Sequence, residues 1–330
     1  MTALAPTLQA FFTDRLASQR GASSHTIAAY RDMFRLLLAF TTDRTRKPPS
    51  QLDIGDLDAA TIGAFLEHLE HVRANSVRTR NSRLAAIHSL FTYAALRHPE
   101  HAASIQRVLA IPAKRFDRNL VTYLTDREVD AVLASCDQTT RTGRRDHTMI
   151  LLTIQTGLRI SELARLTIAD ITVGIGAHVH TIGKGRKERR TPLLPQTVTA
   201  LRAWLTERQG TPTTDPLFPT VTGRHLSRDA IEHRVAFYVG KAGDACPSIR
   251  AKHVTTHTLR HTAAMRLLLS GVDVTVIALW LGHEQVSTTN IYLHADMTMK
   301  ERAIARTTPP NTTPGRYHAP DTLLAFLEAL

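Results

Sequence analysis

Six side chains between residues 159 and 292 have the types needed to handle a phosphate ester: Arg159, Lys184, His257, Arg260, His283 and Tyr292. His257 and Arg260 stand at i and i+3 in HTLRH, so a helical turn would project an imidazole and a guanidinium from one face. That pair suits a phosphate. Tyr292 adds a phenol close to this basic, imidazole-rich stretch, and the whole only makes chemical sense together with Arg159 and Lys184 upstream. Taken singly, each residue fits an ordinary role as well, a half-buried core phenol or a histidine satisfied by hydrogen bonds.

The elements that must position these groups can be read around them. Leu259, Met265, Leu267 and Leu268 supply the apolar side of a helix carrying His257 and Arg260, and Ser270-Gly271 ends it with glycine at C′. Val274, Ile277, Leu279 and Leu281 predict a second short helix stopped at Gly282. Ser287 then caps a last helix with Tyr292 in its second turn. Upstream, Thr125 and Glu128 form a TxxE capping box, and residues 146–156 form a strongly apolar helix. Gly157 lets the chain turn, Arg159 falls at the turn, and Ser161 to Leu166 restarts a helix. Residues 171–194 alternate like strands around a hairpin tip rich in Lys184, Arg186, Lys187, Arg189 and Arg190. A charged tip can be merely solvated, but contact with a phosphate backbone explains this density of cations better. Helices resume at 195–208 and 226–241, separated by a Thr/Pro-rich loop at 211–220.

Apolar stripes predict helices over 7–19, after Ser24, over 58–73 and from Ser76 to Leu96, a small four-helix bundle. Leu84, Ile87, Phe91 and Ala94 face its core, while Arg78, Arg80 and Arg83 open the fourth helix as candidate phosphate contacts. A solvated face explains each of those arginines equally well. Pro112 and a basic patch mark 111–124 as an interdomain linker between a helical domain, 1–110, and a second domain, 125–306. Residues 307–330 form a Pro/Thr-rich tether and a short amphipathic segment, DTLLAFLEAL. Ten residues are too few for a stable isolated helix in water, so it is expected to dock, in cis or on a neighbouring protomer. The fold class expected is mainly α with a small antiparallel β-sheet.

A chain of 330 residues is long enough for two domains with proper cores. Lys and Arg number 41 against 29 Asp and Glu, a net charge of +12, which favours a polyanion and nucleic acid first among them. Cys136 and Cys246 have no pairing pattern and fit a reducing compartment. No apolar run approaches the roughly 20 residues that span a bilayer, and the N-terminus lacks the pattern of a signal peptide, so no membrane partner and a cytoplasmic location are expected.

Taken together, TGLRISELARL, GKGRKER, HTLRH, LGH and STTNIY occur in order, with 25 residues from Arg159 to Lys184, 23 from Arg260 to His283 and 9 from His283 to Tyr292. In this the chain resembles the tyrosine recombinase, or phage integrase, family. The resemblance covers the whole second domain, and the N-terminal bundle is similar, less specifically, to the family's SAM-like core-binding domain. It implies a site-specific DNA recombinase of the integrase or transposase type, acting on mobile elements or in chromosome maintenance, without metal, cofactor or ATP. Tyr292 matches the nucleophile that forms a 3′-phosphotyrosine and leaves a 5′-hydroxyl. Arg159 and Arg260 match the pair that clamps the non-bridging oxygens, and Lys184 matches the acid for the leaving oxygen. His257 and His283 match the imidazoles that assist proton transfer and hold the phosphate, and Glu162 resembles the acidic residue that orients the cations. The implied partners are double-stranded DNA and further protomers, as a homo-tetramer on two DNA sites or with related recombinase subunits.

The chemistry agrees. In-line displacement at a phosphodiester gathers charge on equatorial oxygens, which bidentate guanidiniums match. A phenol with pKa about 10 needs nearby cations and a base, and a lysine on a mobile hairpin suits the leaving oxygen. Three rivals compete. His257 and His261 have the i, i+4 spacing of zinc ligands, but the glutamate of HExxH and an obvious third ligand are missing. A non-enzymatic DNA-binding protein explains the charge and leaves the register of five motifs a coincidence. A type IB topoisomerase-like enzyme shares the chemistry but has no use for a C-terminal docking segment.

Overall fold

A computed structural model describes residues 3–116, 121–183 and 188–283, together with Thr289 and Tyr292. The chain divides into two compact units, Met1–Arg118 and Asn119–Leu330.

The first unit is a helical bundle: α1 (Leu4–Ala10) running on as a π-helical stretch (Phe11–Gln19), then α2 (Ser24–Thr45), α3 (Ala59–His71), α4 (Val77–Ala95) and α5 (Ala102–Leu109). The π-type winding has a physical reason in the sequence. Phe11 and Leu16, five residues apart, are both fully buried, and i→i+5 winding stacks such positions on one face. Side-chain caps start the next three helices, with Ser23, Asp58 and Ser76 accepting from the N–H of Thr26, Thr61 and Thr79. The stripe Leu84, Ile87, Phe91 and Ala94 is buried as its spacing predicts. A fifth short helix, α5, joins the four expected and buries Ile105 and Val108.

Arg80 corrects the sequence reading. It is 6% exposed and donates to the carbonyl of Pro112, so it braces the bundle and presents no charge to a phosphate. Arg83 is half-buried, and burial lowers its pKa; Arg78 is exposed, over the ring of Phe116. Described residues within 111–124 are held by hydrogen bonds. Lys114 exchanges hydrogen bonds with Asn81 of the first unit, while the N–H of Leu124 donates to Thr262 in the second.

The second unit holds α6 (Asp126–Ala134), α7 (Arg141–Thr156), the single turn α8 (Ile160–Leu163), α9 (Pro195–Thr206), α10 (Arg228–Ala245), α11 (Thr256–Leu269) and α12 (Val274–Leu281). Between α8 and α9 lies a three-stranded antiparallel sheet in the order β1 (Ile171–Thr172), β2 (His178–Ile182), β3 (Glu188–Pro192). The expected Thr125–Glu128 capping box starts α6. Helix α7 begins five residues before the apolar run that announced it, because Thr140 caps it and Arg141–Arg145 form a polar first turn. Its centre buries Met149, Ile150, Leu151, Leu152 and Ile154 in succession, as a helix packed on all sides must. Helix α12 ends at Gly282 and α11 ends before Gly271, both where the glycines predict. Among the described residues no helix is long and apolar enough to cross a membrane.

Candidate active site

Helix α11 carries three of the functional side chains, and its start is fixed twice. Thr255 and Thr258 form a reciprocal cap, and Glu232 of α10 accepts from both the N–H and the hydroxyl of Thr256. A carboxylate at a helix N-terminus is also favoured by the helix dipole. One turn on, Arg260 is 2% exposed and donates to the carbonyls of Gly157 and Leu281. Arg159 donates through Nη2 to the carbonyl of Gly282 at 2.9 Å. The two guanidiniums are therefore seated on the C-terminal carbonyls of α7 and α12, where helix dipoles favour cations. Both seats need glycine. Gly157 and Gly282 have φ of 65°, and a Cβ would lie 2.5 Å from Leu281 at the first and 2.9 Å from Arg189 at the second.

Glu162 links the cations. Its carboxylate accepts from Arg159 Nη1 at 3.0 Å, from the Arg159 N–H at 2.8 Å, and from both Nη atoms of Arg189 at 2.9 and 2.7 Å. Burial would raise its pKa, but the bond and charge of Arg189, with help from Arg159, bring it below the usual carboxylate range. Two guanidiniums pair with this one carboxylate and Arg260 adds a third positive charge, so the cluster keeps an excess of positive charge for an anion. Burial, then Arg159, lowers the pKa of Arg260 to about 10, which still leaves it protonated at neutral pH.

The imidazoles are neutral for the same reasons. His283 falls to about 4 through burial and then the charges of Arg260, Arg159 and Arg189, and its Nδ1 lies 2.7 Å from Thr289 Oγ1. His257 presents an exposed edge to solvent, yet its inner face is crowded; that desolvation, then Arg260 and Arg159, lowers its pKa. His261 packs edge-on against His257 with centroids 4.2 Å apart and falls to about 4, chiefly by burial. Its Nδ1 lies 2.9 Å from the hydroxyl of Tyr292. Tyr292 is 1% exposed in a cluster with Ala264, Met265, Leu268, Ile277 and Leu281, and burial pushes its pKa up to about 12 despite the pull of Arg260. With both groups neutral, the imidazole accepts from the phenol in the tautomer that carries its hydrogen on Nε2.

The fold thus brings Arg159, Glu162, His257, Arg260, His283 and Tyr292 into one cluster. Lys184, Arg186 and Lys187, and the helix expected from Ser287, lie outside the described residues apart from Thr289 and Tyr292. Three residues of the cluster were not recognised from the sequence. Arg189 was only one cation of a hairpin, although strand alternation puts it on the same face as buried Thr191 and opposite buried Thr181. His261 entered only as a metal-ligand candidate; it serves the tyrosine, and among the described residues no group of three side chains suits a metal. Thr289 had no sequence signal beyond its nearness to Tyr292.

Comparison with known proteins identifies the family. Residues 122–299 match the model of the phage integrase family, and residues 10–98 match the phage integrase N-terminal SAM-like domain. A protein of Sinorhizobium fredii named "Putative integrase/recombinase y4rC" is 53% identical over 99% of this chain and 98% of its own length. The tyrosine recombinase XerD of Shewanella oneidensis is 32% identical over 88% of this chain and 92% of its own. The crystal structure of XerH recombinase bound to its palindromic difH substrate shares the fold, with a TM-score of 0.67, 23% identity, and coverage of 87% of this chain and 81% of that one. Fold and site together define a tyrosine recombinase. The chain belongs to the phage integrase family, whose members cleave and rejoin DNA strands, and it combines a SAM-like N-terminal domain with the family's catalytic domain.

Proposed function

We propose that this recombinase acts at specific sites on double-stranded DNA in the cytoplasm, through a 3′-phosphotyrosine at Tyr292. Arg159 and Arg260 hold the non-bridging oxygens of the scissile phosphate, with Glu162 and Arg189 keeping Arg159 in place. The Tyr292 oxygen attacks phosphorus, and the bond from phosphorus to the 5′-oxygen breaks. The phenolic proton passes to His257, His283 binds a non-bridging oxygen, and Lys184 supplies a proton to the departing 5′-oxygen, so no charge is stranded. Reversal by a 5′-hydroxyl from a second duplex rejoins the strands, and the retained bond energy removes any need for ATP. Four protomers on two duplexes complete the exchange, with Arg78, Arg186 and Lys187 among the cations that bind backbone phosphates.

The observation that carries this reading is the convergence of Arg159, Arg260, His257, His283 and Tyr292 from separate segments in one positively charged cluster. In the structure Tyr292 rests against His261, so it has to leave that partner to reach a phosphate. The test is a nicked duplex carrying a site recovered by covalent trapping from a random library. Wild-type protein should form a denaturation-resistant adduct that survives chelation of metals, and Tyr292→Phe should bind the duplex and form none. An adduct with Tyr292→Phe, or loss of the adduct on chelation, would overturn the proposal.

A further inference from the structure

Thr289 lies in the segment between His283 and Tyr292 and touches both. Its hydroxyl is 2.7 Å from His283 Nδ1, and its carbonyl accepts the N–H of Tyr292 at 3.1 Å. It is fully buried, so its hydroxyl cannot turn to water. We infer that Thr289 is a positioning residue that sets the tautomer of His283, donating its hydroxyl proton to Nδ1 so that Nε2 carries the hydrogen facing the phosphate pocket. The inference rests on the role proposed for His283.

The argument is one of hydrogen-bond accounting. A neutral imidazole has one N–H and one lone pair, and the partner of one nitrogen decides what the other offers. His283 is neutral because burial and the charges of Arg260, Arg159 and Arg189 all disfavour its cation. With Nδ1 engaged by Thr289, only Nε2 is left for a substrate. An oxygen of a phosphate is an acceptor, so a lone pair on Nε2 would repel it and an N–H would bind it. A threonine hydroxyl can donate or accept, and among the described residues the partner of Thr289 Oγ1 is His283 Nδ1. Donation to Nδ1 uses that hydroxyl proton and leaves the productive tautomer. The same residue holds Tyr292 through its carbonyl, so nucleophile and phosphate-binding imidazole share one anchor.

The test is made on the full chain labelled with nitrogen-15 histidine. In wild-type protein the His283 signals should show an unprotonated Nδ1 and a protonated Nε2. Thr289→Val, which keeps the shape and removes the hydroxyl, should shift His283 toward the other tautomer and slow adduct formation on the trapped duplex by about tenfold, the scale of one lost hydrogen bond. Thr289→Ser should restore both. Thermal melting and duplex binding check that Thr289→Val is folded; should it fail to fold, the wild-type tautomer and Thr289→Ser still decide. A protonated Nδ1 in the wild type, or a wild-type tautomer and rate in Thr289→Val, would overturn the inference. His283→Ala separates the two layers: if it forms adduct at the wild-type rate, the role of His283 itself fails, whatever Thr289 does.

Discussion

Removing the imidazole that holds Tyr292 should release the nucleophile and speed formation of the covalent adduct. The magnitudes decide between this outcome and its opposite. Tyr292 has a pKa of about 12 and His261 of about 4, so moving the proton across their 2.9 Å hydrogen bond means climbing a gap of about 8. At about 1.36 kcal/mol per pKa unit that costs on the order of 11 kcal/mol, too much for His261 to act as the base in this arrangement. The contact instead keeps the phenol neutral, buried and away from substrate. In His261→Ala the buried hydroxyl loses its hydrogen-bond partner, a penalty of about 1–3 kcal/mol, which favours the released tyrosine by about 5- to 150-fold. Adduct formation on a nicked duplex, followed by denaturing gel at saturating DNA, should accelerate until the chemical step takes over. His261→Asn, which can still accept a hydrogen bond, should lie between. A drop of a hundredfold or more in His261→Ala, with duplex binding intact, would refute the reasoning and make His261 a participant in proton transfer.

Further consequences are open to measurement. Glu162→Gln removes a buried charge shared by Arg159 and Arg189 and should destabilise the protein by about 3–5 kcal/mol, read as a fall in melting temperature together with loss of adduct. The buried neutral histidines make stability pH-dependent in a defined direction. His261 and His283 titrate near 4 in the folded chain against an ordinary value of 6.5, so the folded state binds fewer protons. Their contribution is present above about pH 6.5 and is lost as pH falls toward 4, at roughly 3 kcal/mol each, and melting curves of His261→Ala and His283→Ala should be flatter over that window. The depressed Glu162 adds to the loss at the acid end. Arg80→Ala should lower the melting temperature while leaving the salt dependence of DNA binding unchanged, whereas Arg78→Ala should reduce the slope of log affinity against log salt by about 1 without destabilising the bundle.

Much of the molecule is legible in its sequence because the signals are local. Period-3.6 stripes, the caps at Ser76 and Thr125, and the glycines at 157, 271 and 282 mark helices and their ends, since capping and left-handed turns depend on a few adjacent residues. The types and spacing of Arg159, His257, Arg260, His283 and Tyr292 likewise declare phosphate chemistry. What depends on distant partners stays hidden. Arg80 reads as a surface cation until the carbonyl of Pro112, far along the chain, is found beside it. Arg189 reads as one more charge on a hairpin until Glu162 is placed against it.

The residue types by themselves thus determined which chemistry this chain can perform and the segments that carry it. Only tertiary structure decided that two helix ends would seat the arginines, that Glu162 would join Arg159 to Arg189, and that His261 would hold Tyr292. The reason is that pKa values, burial and hydrogen-bond partners are set by which segments meet in space, and a single sequence records the groups but not their meetings.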